Sequence, residues 1–275
     1  MTEDSPVSWA AALAPVPAWL ERDLPNRWAA CEFLPSVDST NRWLLDFPDL
    51  RSSRYHVCVA REQTAGRGRR GREWRAARDS SLTFSLARGL DPLERPTPAL
   101  SLAIGVGVAR GLSRCGLQGF RLKWPNDLVT EQGGKLAGIL VEARAASEGR
   151  PPAMVAGVGL NRSDASVLGL DRAVADLTDL AGRNPLPALP ELLHALLVEV
   201  ARAWDAFVLD GLASVFDDYR RLDHLRGRRI QVIDSGREGI AAGIDPYDGA
   251  LLLRRPDGME RLHSGDVSVS RVDHD

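Results

Sequence analysis

Apolar residues in this chain fall into several short runs of strand length and two much longer stretches of helical length. The short runs predict strands at 56–60, 81–86, 119–122, 135–143 and 153–160. The long stretches predict a buried helix of small residues over 99–112 and an amphipathic helix over 191–209, where Leu, Val, Trp and Phe recur at helical spacing. Shorter helices are predicted from Arg42 and over 213–224.

The composition of the chain changes near 225–227. Beyond this point, short strands are predicted at 229–233, 239–244, 250–253 and 259–263, separated by turns rich in Asp and Gly. We therefore expect a small β-barrel over 226–275 after a larger domain over 26–225. Residues 1–25 are rich in Pro and Ala without a clear pattern, and we expect them to form a loosely ordered leader.

Charge and cysteine content exclude several classes of protein. Lys and Arg number 35 against 37 Asp and Glu, a formal net charge of −2, so no overall field attracts nucleic acid or a membrane surface. The 3 cysteines are widely spaced and odd in number, which indicates a reducing compartment. The histidines form no HExxH-type cluster, and neither a signal peptide nor a membrane-spanning apolar run is recognisable. We expect a cytoplasmic protein that binds neither zinc, nucleic acid nor a membrane.

Lys123 and Lys135 are the two lysines of the chain, and both lie in motif-like segments, 122–128 and 133–142. A coding bias toward arginine explains why lysine is rare, but it does not explain where the two lysines fall. Lysine is a compact point charge on a flexible stem, whereas arginine is a broad planar fork. We therefore expect that at least one of these segments needs a compact charge.

A loop over 62–74 places arginines between glycines. Glycines let the backbone approach a ligand closely, and arginines donate paired hydrogen bonds, so the loop suits a ligand with more than one anionic group. Gly66, Gly68 and Gly71 satisfy GxGxxG, but no helix follows directly, as a dinucleotide fingerprint requires. Arginine–glycine RNA-binding tails are repetitive, whereas this loop lies between two predicted strands. An ordinary solvated loop remains an alternative.

Three further segments have both a structural and a functional interpretation. The Ser-Thr-Asn triplet at 39–41 fits a helix N-cap, but its hydroxyls could also face a polar ligand. The Trp-Pro-Asn-Asp segment at 124–127 fits an ordinary turn, or offers oxygens to Mg²⁺ beside Lys123. The Gly-x-Gly-x-Asn segment at 157–161 fits the end of a strand or a close approach to a ligand.

These segments, taken in order, resemble the biotin protein ligase family. The resemblance extends over about 35–270 and rests on the stretches 39–41, 62–74, 122–128, 135–142 and 156–161. The end of the chain is similar to that family's SH3-like domain, especially at 243–245 and 249–251. The resemblance implies an α+β fold, in which a mixed β-sheet packed with helices, as in class II aminoacyl-tRNA synthetases and lipoate ligases, precedes a small SH3-like β-barrel.

The resemblance also implies an activity. Members of the family use ATP and Mg²⁺ to form biotinyl-5′-adenylate, and then transfer biotin to a lysine of the biotin carboxyl carrier domain of acetyl-CoA carboxylase or a related carboxylase. Few residues precede Ser39, so we expect the monofunctional form without a DNA-binding domain, as a monomer or a homodimer. Two alternatives remain: a lipoate or octanoate ligase on the same core, and a nucleic-acid or metabolite-binding protein without catalysis.

The resemblance assigns roles to individual residues. The positions that bind biotin are matched by Ser39, Thr40, Gln63, Gly66, Arg67, Lys135 and Gly138. The positions that bind ATP or the adenylate are matched by Arg69, Arg72, Trp74, Asn126, Lys135 and Asn161. The catalytic positions are matched by Lys135, Arg69, Arg67 and Asp127, and Asp127 is also the candidate Mg²⁺ ligand. For Glu142, a purely structural role remains an alternative to a role in the site. The resemblance does not identify which residue within 165–180 stacks beneath the adenine ring.

Overall fold

The computed structural model describes residues 6–48, 50, 54–76, 79–91, 94, 96–147, 149–168 and 173–269. The larger domain contains a sheet of β1 (Trp28–Leu34), β2 (Tyr55–Ala60), β3 (Ser81–Gly89), β4 (Phe120–Lys123), β5 (Asp127–Thr130), β6 (Lys135–Arg144) and β7 (Ala153–Asn161). The strand order is β1-β2-β3-β7-β6-β5-β4. The β1–β2 pair is parallel and the other neighbours are antiparallel. This arrangement confirms the expected mixed sheet.

Helices cover both faces of this sheet. They are α1 (Pro6–Leu13), α2 (Val16–Asp23), α3 (Thr40–Asp46), α4 (Leu100–Arg114), α5 (Leu177–Ala181), α6 (Leu189–Asp210) and α7 (Phe216–Leu222). The predicted long helices, α4 and α6, pack against each other and against one face, whereas α3 packs over β2, β3 and β7 on the other. Among the described helices, none combines the length and the apolar character needed to cross a bilayer.

Small residues allow α4 and α6 to approach closely. A Cβ atom built on Gly107 would lie 2.8 Å from both Glu199 O and Val200 Cα of α6. A Cβ built on Gly111 would lie 2.9 Å from Leu196 Cα. Backbone atoms cannot move aside as the tip of a side chain can, so these two glycines set the distance between the helices.

The substitution Gly107→Ala should lower the free energy of unfolding by about 1–3 kcal/mol, because overpacking outweighs a helix-propensity gain of about 1 kcal/mol. Gly105→Ala is the matched control on the same helix, since its Cβ would meet a side-chain tip, Leu122 Cδ2, at 3.1 Å. Urea denaturation of both variants measures the difference. A Gly107→Ala protein as stable as the wild type would contradict the close packing of α4 on α6.

The smaller domain is an antiparallel sheet of order β11-β10-β9-β8-β12. Its strands are β8 (Arg229–Val232), β9 (Glu238–Ile244), β10 (Leu251–Arg255), β11 (Gly258–Leu262) and β12 (Val267–Val269). The first four confirm the predicted strands, while the predicted boundary at 226 stays a prediction. Trp124 Nε1 donates to Gly249 O at 3.0 Å, which brings the 124–127 segment against this domain.

The prediction of a loosely ordered leader is wrong for the part of 1–25 that the structure describes. Helices α1 and α2 pack on α6, and Leu13, Val16 and Leu20 are fully buried. Trp28 Nε1 also donates to Leu20 O at 3.0 Å, which ties α2 to β1. The three buried residues have helical spacing, but the Pro and Ala residues around them obscure it in the sequence.

Candidate functional site

The glycine–arginine loop forms a tight hairpin between β2 and β3. Trp74 N donates to Gly66 O at 2.9 Å, and Gly68 N donates to Arg72 O at 2.7 Å. A Cβ on Gly66 would overlap the carbonyl oxygen of Trp74, so the hairpin closes with glycine at this position. A short 3₁₀ turn, Arg69–Gly71, forms the tip. The loop is therefore neither a dinucleotide-binding turn that opens a helix nor a repetitive tail.

Trp74 lies directly on the sheet, over paired glycines of β6 and β7. Gly138 and Gly159 face each other in the register of these strands. A Cβ on Gly159 would lie 2.5 Å from Trp74 Nε1, and one on Gly138 would lie 3.2 Å from Trp74 Cζ3. Trp74 is 9% exposed, and its Nε1 has no hydrogen-bond partner among the described residues. The two glycines create the space that the indole ring fills.

Cationic side chains from two separate stretches meet at the turn that joins β4 to β5. Lys135 Nζ lies 2.5 Å from Asp127 Oδ1 and 5.7 Å from the centre of the Trp74 ring. Arg69 reaches the same turn from the hairpin, and its Nη1 donates to Asn126 Oδ1 at 3.4 Å. We call Arg69 and Lys135, with the Asn126–Asp127 turn between them, the cationic cluster.

The charged side chains of the cationic cluster are partly buried, and so partly shielded from water. Burial lowers the pKa of Arg69, and the charge of Arg70 lowers this pKa further, whereas Asp127 opposes the shift. A guanidinium nevertheless keeps its proton at neutral pH. The Lys135 side chain is 14% exposed. Charges act on nearby anions more strongly here than in bulk water, so the cluster suits a ligand with adjacent anionic groups.

A polar pocket opens beside the cationic cluster, at the start of α3. Among the residues that line it are Ser39, Thr40, Asn41, Gln63, Arg67 and Gly138. Thr40 N donates to Gln63 Oε1 at 2.9 Å, which joins α3 to the segment after β2. Ser39 is the N-cap residue of α3, yet its side chain makes no capping hydrogen bond. Ser39 and Thr40 therefore line the pocket, and the Ser39 hydroxyl does not cap the helix.

Arg67 lies on the pocket side of the hairpin rather than in the cationic cluster. Its Nη1 lies 3.2 Å from Glu142 Oε1. Asn41 Nδ2 donates to the other oxygen of Glu142 at 2.9 Å, and Ser85 Oγ lies 2.7 Å from Asn41 Oδ1. Asn41 and Ser85 are not among the predicted site residues, although Asn41 directly follows two of them, Ser39 and Thr40. The catalytic role of Arg67 stays a prediction.

A larger cavity, of about 310 Å³, lies at the junction of the two domains. Its walls include Arg69, Ser101, Trp124, Val141, Asp248 and His263. Ile139 and Leu140 line both this cavity and the polar pocket. Strand β6 therefore forms a wall that the cavity and the polar pocket share. Arg69, a member of the cationic cluster, lines the cavity.

Two predicted nucleotide-binding residues, Arg72 and Asn161, each bind other parts of the protein. Arg72 forms an ion pair with Asp266 of the smaller domain. Asn161 is buried, and its Nδ2 donates to Lys135 O at 3.1 Å and to Ala175 O at 3.0 Å. Asn161 thus braces the backbone at the start of β6, which positions Lys135. Direct nucleotide binding by Arg72 and Asn161 stays a prediction.

Neutralising two aspartates of the smaller domain should loosen the hairpin without unfolding the protein. Arg70 pairs with Asp234, and Arg72 pairs with Asp266. Exposed ion pairs contribute only about 0–1 kcal/mol, so an Asp234→Asn/Asp266→Asn variant should keep nearly the wild-type melting temperature. Trypsin should nevertheless cut the hairpin faster, because its arginines become more accessible. Asp257→Asn is the exposed control, and equal cleavage rates in both proteins would show that the two pairs do not hold the hairpin.

Asp127 offers one carboxylate to a divalent cation. Within the described residues, no group of three or more His, Cys, Asp or Glu side chains could hold a metal ion. Mg²⁺ at nucleotide sites usually takes one or two carboxylates and completes its shell with phosphate oxygens and water. A single carboxylate beside a cationic cluster fits this pattern, and the role of Asp127 as a Mg²⁺ ligand stays a prediction.

Comparisons with known proteins agree with this combination of fold and site. The model of the biotin/lipoate A/B protein ligase family matches residues 33–161, and the model of the biotin protein ligase C-terminal domain matches residues 226–270. The larger domain, with its polar pocket and cationic cluster, is thus that of a biotin/lipoate protein ligase.

Individual relatives show which members of the biotin/lipoate ligase class the chain resembles. The chain is 36% identical over 248 residues to the bifunctional ligase/repressor BirA of Escherichia coli, covering 86% of this chain and 73% of that protein. It is 32% identical over 241 residues to the biotin–[acetyl-CoA-carboxylase] ligase of Paracoccus denitrificans, covering 85% and 98%. The biotin protein ligase of Aquifex aeolicus, in complex with biotin and ATP, shares the fold, with a TM-score of 0.72 at 22% identity over 88% of this chain and 100% of that one. This chain belongs to the biotin protein ligase family.

Proposed function

We propose that this chain joins biotin to ATP, forming biotinyl-5′-AMP and pyrophosphate, and then transfers biotin to a lysine of a biotin carboxyl carrier domain. The observation that carries the proposal is a polar pocket directly beside the cationic cluster of Arg69 and Lys135. Relatives named as biotin–[acetyl-CoA-carboxylase] ligases, at 32% and 33% identity, support it.

The polar pocket suits the ureido ring of biotin. A ureido group carries N–H donors beside a carbonyl acceptor, and the hydroxyls of Ser39 and Thr40 together with the Gln63 amide supply partners for both. The glycines of β6 and β7 leave room over the sheet for the side chains of Trp74 and Asn41, which also line the pocket. The dithiolane ring of lipoate has neither an N–H group nor a carbonyl, so the pocket favours biotin over lipoate.

The cationic cluster suits the first chemical step, in which the biotin carboxylate attacks the α-phosphate of ATP and pyrophosphate leaves. Two unit charges about 4 Å apart repel each other by about 4 kcal/mol at an effective dielectric of 20. Lys135 and Arg69 offset this repulsion and stabilise the charge that builds on the phosphate oxygens. Asp127 would help to hold Mg²⁺ with the nucleotide, and the ion would supply further positive charge to the phosphates.

In the second step a lysine amine attacks the acyl carbon of the mixed anhydride, and AMP leaves. A free lysine amine is mostly protonated at neutral pH, so the enzyme must favour the neutral form. The Asp127 carboxylate would orient the incoming amine and accept its proton. In the structure this carboxylate pairs with Lys135, whose Nζ lies 2.5 Å from Asp127 Oδ1.

The proposal extends to the acceptor protein and to the cellular compartment. The acceptor is the carrier domain of acetyl-CoA carboxylase or a related carboxylase, and the enzyme acts as a monomer or a homodimer. The compartment is the cytoplasm, where the unpaired Cys31, Cys58 and Cys115 would stay reduced.

Exchange of labelled pyrophosphate into ATP tests the proposal. The protein should catalyse this exchange when biotin is added, and should then biotinylate a purified carrier domain. Exchange that requires lipoate or octanoate instead of biotin would favour the alternative ligase. Absence of exchange with every acid, together with retention of RNA or DNA, would favour the non-catalytic binding protein.

A further inference from the structure

An exposed tyrosine stands on the turn that joins β9 to β10. Tyr247 is 90% exposed, a larger fraction than that of any other large apolar side chain in the part of the chain that the structure describes. Single exposed apolar side chains are common on protein surfaces, so the exposure alone assigns no role. The surroundings of Tyr247 are what distinguish it. We call residues 245–249 the tyrosine turn.

The tyrosine turn is held firmly within the smaller domain. Asp245 is buried, and its Oδ1 accepts from the backbone N–H of Tyr247 at 2.8 Å. Gly249 N donates to Asp245 O at 3.0 Å. The Arg261 guanidinium donates to Asp245 Oδ2 at 2.5 Å and to Asp248 Oδ2 at 2.8 Å. Because the turn is already ordered, a partner that binds it pays little for fixing its conformation.

The end of the tyrosine turn is also wedged into the larger domain. Gly249 O accepts from Trp124 Nε1 at 3.0 Å. Gly249 has a φ of +73°, and a Cβ there would lie 2.7 Å from Leu102 Cδ1 at the start of α4. Both the backbone conformation and the close contact favour glycine at this position. The turn therefore keeps a fixed place beside the 124–127 segment, which carries Asp127.

The tyrosine turn borders the cavity of about 310 Å³ at the junction of the two domains. Asp248 and Gly249 line this cavity from the smaller domain, and Arg69 lines it from the hairpin. Its wall of Ile139 and Leu140 is shared with the polar pocket. The cavity thus leads from the tyrosine turn toward the place where the acyl group of the adenylate would lie.

The lysine of an acceptor protein fits this entrance. The tyrosine turn carries two carboxylates, Asp245 and Asp248, against the single guanidinium of Arg261 that they share, so it keeps negative charge beside the cavity. An ammonium group is attracted to such a place. Because a lysine side chain is short, the domain that carries it must lie against the rim of the cavity and cover Tyr247.

We propose that Tyr247 is a docking residue for the carrier domain in the second chemical step. This role rests on the proposed function, since a carrier domain is required only if biotin is transferred to a protein. Tyrosine is enriched among the interface residues whose truncation costs most affinity, because it combines a large rigid ring with a polar tip. Tyr247 binds the acceptor protein in this scheme and has no part in forming the adenylate.

Tyr247→Ala should raise the KM for a purified carrier domain by at least about tenfold, because it removes the ring that the carrier covers. The kcat at saturating carrier and the biotin-dependent exchange of pyrophosphate should both stay within about twofold of the wild type. Hydroxylamine is a small acceptor that needs no docking, so it should discharge the adenylate equally fast in both proteins. Melting curves confirm that both proteins are folded.

Two control variants separate docking from a general surface effect. Tyr247→Phe keeps the ring and should keep the KM for the carrier within about threefold of the wild type. Met259→Ala removes another exposed apolar side chain of the smaller domain, 54% exposed. Met259 pairs with Arg254, whereas Leu251, next to the tyrosine turn, pairs with Leu262, so Met259 lies at the opposite end of the β10–β11 pair. Its removal should leave this KM unchanged.

The possible failures differ in meaning. If the wild-type chain catalyses biotin-dependent exchange but Tyr247→Ala keeps the wild-type KM for the carrier, Tyr247 is not a docking residue and the proposed function stands. An equal rise in KM for Met259→Ala would also overturn the docking role. So would sedimentation velocity showing that Tyr247→Ala breaks a dimer of this chain. If the wild-type chain shows no exchange with biotin, the proposed function fails, and the docking role fails with it.

Discussion

Lys135→Ala should slow the formation of biotinyl-5′-AMP by at least about a hundredfold. The repulsion that Lys135 helps to offset, about 4 kcal/mol, corresponds to about three orders of magnitude in rate. Its removal would also leave the Asp127 carboxylate, now 2.5 Å from Lys135 Nζ, without that partner beside the incoming anions. Biotin-dependent pyrophosphate exchange measures the effect.

Arg69→Ala should have a similar effect, because Arg69 brings the second cation to the same turn. Lys123→Ala is the matched control, since it removes the other lysine of the chain and should cost less than about tenfold. Near-normal exchange by both the Lys135 and the Arg69 variants would refute the roles proposed for the cationic cluster.

Gly159→Ala should displace Trp74 and abolish most of the binding of biotin. The added Cβ would lie 2.5 Å from Trp74 Nε1 and would overlap the neighbouring ring carbon, so either the indole or β7 must move. Overpacking of this kind lowers the free energy of unfolding by about 1–3 kcal/mol. Near-ultraviolet circular dichroism reports the position of the tryptophan, and urea denaturation reports the stability.

The double variant Gly159→Ala/Trp74→Ala separates this clash from a general weakening of β7. Removing the indole relieves the overlap, so Gly159→Ala should cost much less stability in the Trp74→Ala background than in the wild type. A Gly159→Ala protein with wild-type stability and an unchanged tryptophan spectrum would contradict the placement of Trp74 on the glycine floor.

Local patterns in the sequence were sufficient to predict the elements with strong periodicity. The helix over 191–209 and the strands at 56–60 and 153–160 lie where apolar spacing indicates them. By contrast, β1 was missed because it is an edge strand with a mostly half-buried sequence that does not alternate. The first helices were missed because their apolar contacts are with α6, far along the chain.

The sequence predicts those site residues that lie in recognisable motifs. It does not predict contacts between residues that are far apart in the chain. Lys135 and Arg69 do lie at the same turn. Arg72, in the same loop, instead pairs with Asp266, and no local pattern indicates a partner so distant in the chain. The same holds for Ser85, whose hydroxyl has meaning only once α3 and β3 are packed together.

The central claim is that cations from two separate stretches bring a carboxylate and an α-phosphate together. The most direct test is a crystal structure of the chain with a non-hydrolysable analogue of biotinyl-5′-AMP. Lys135 Nζ and the Arg69 guanidinium should both lie within about 2.7–3.2 Å of oxygens at the acyl–phosphate junction, with the ureido ring between Thr40 and Gln63. An adenylate analogue bound elsewhere, with Lys135 still paired to Asp127 and Arg69 turned to solvent, would contradict the account.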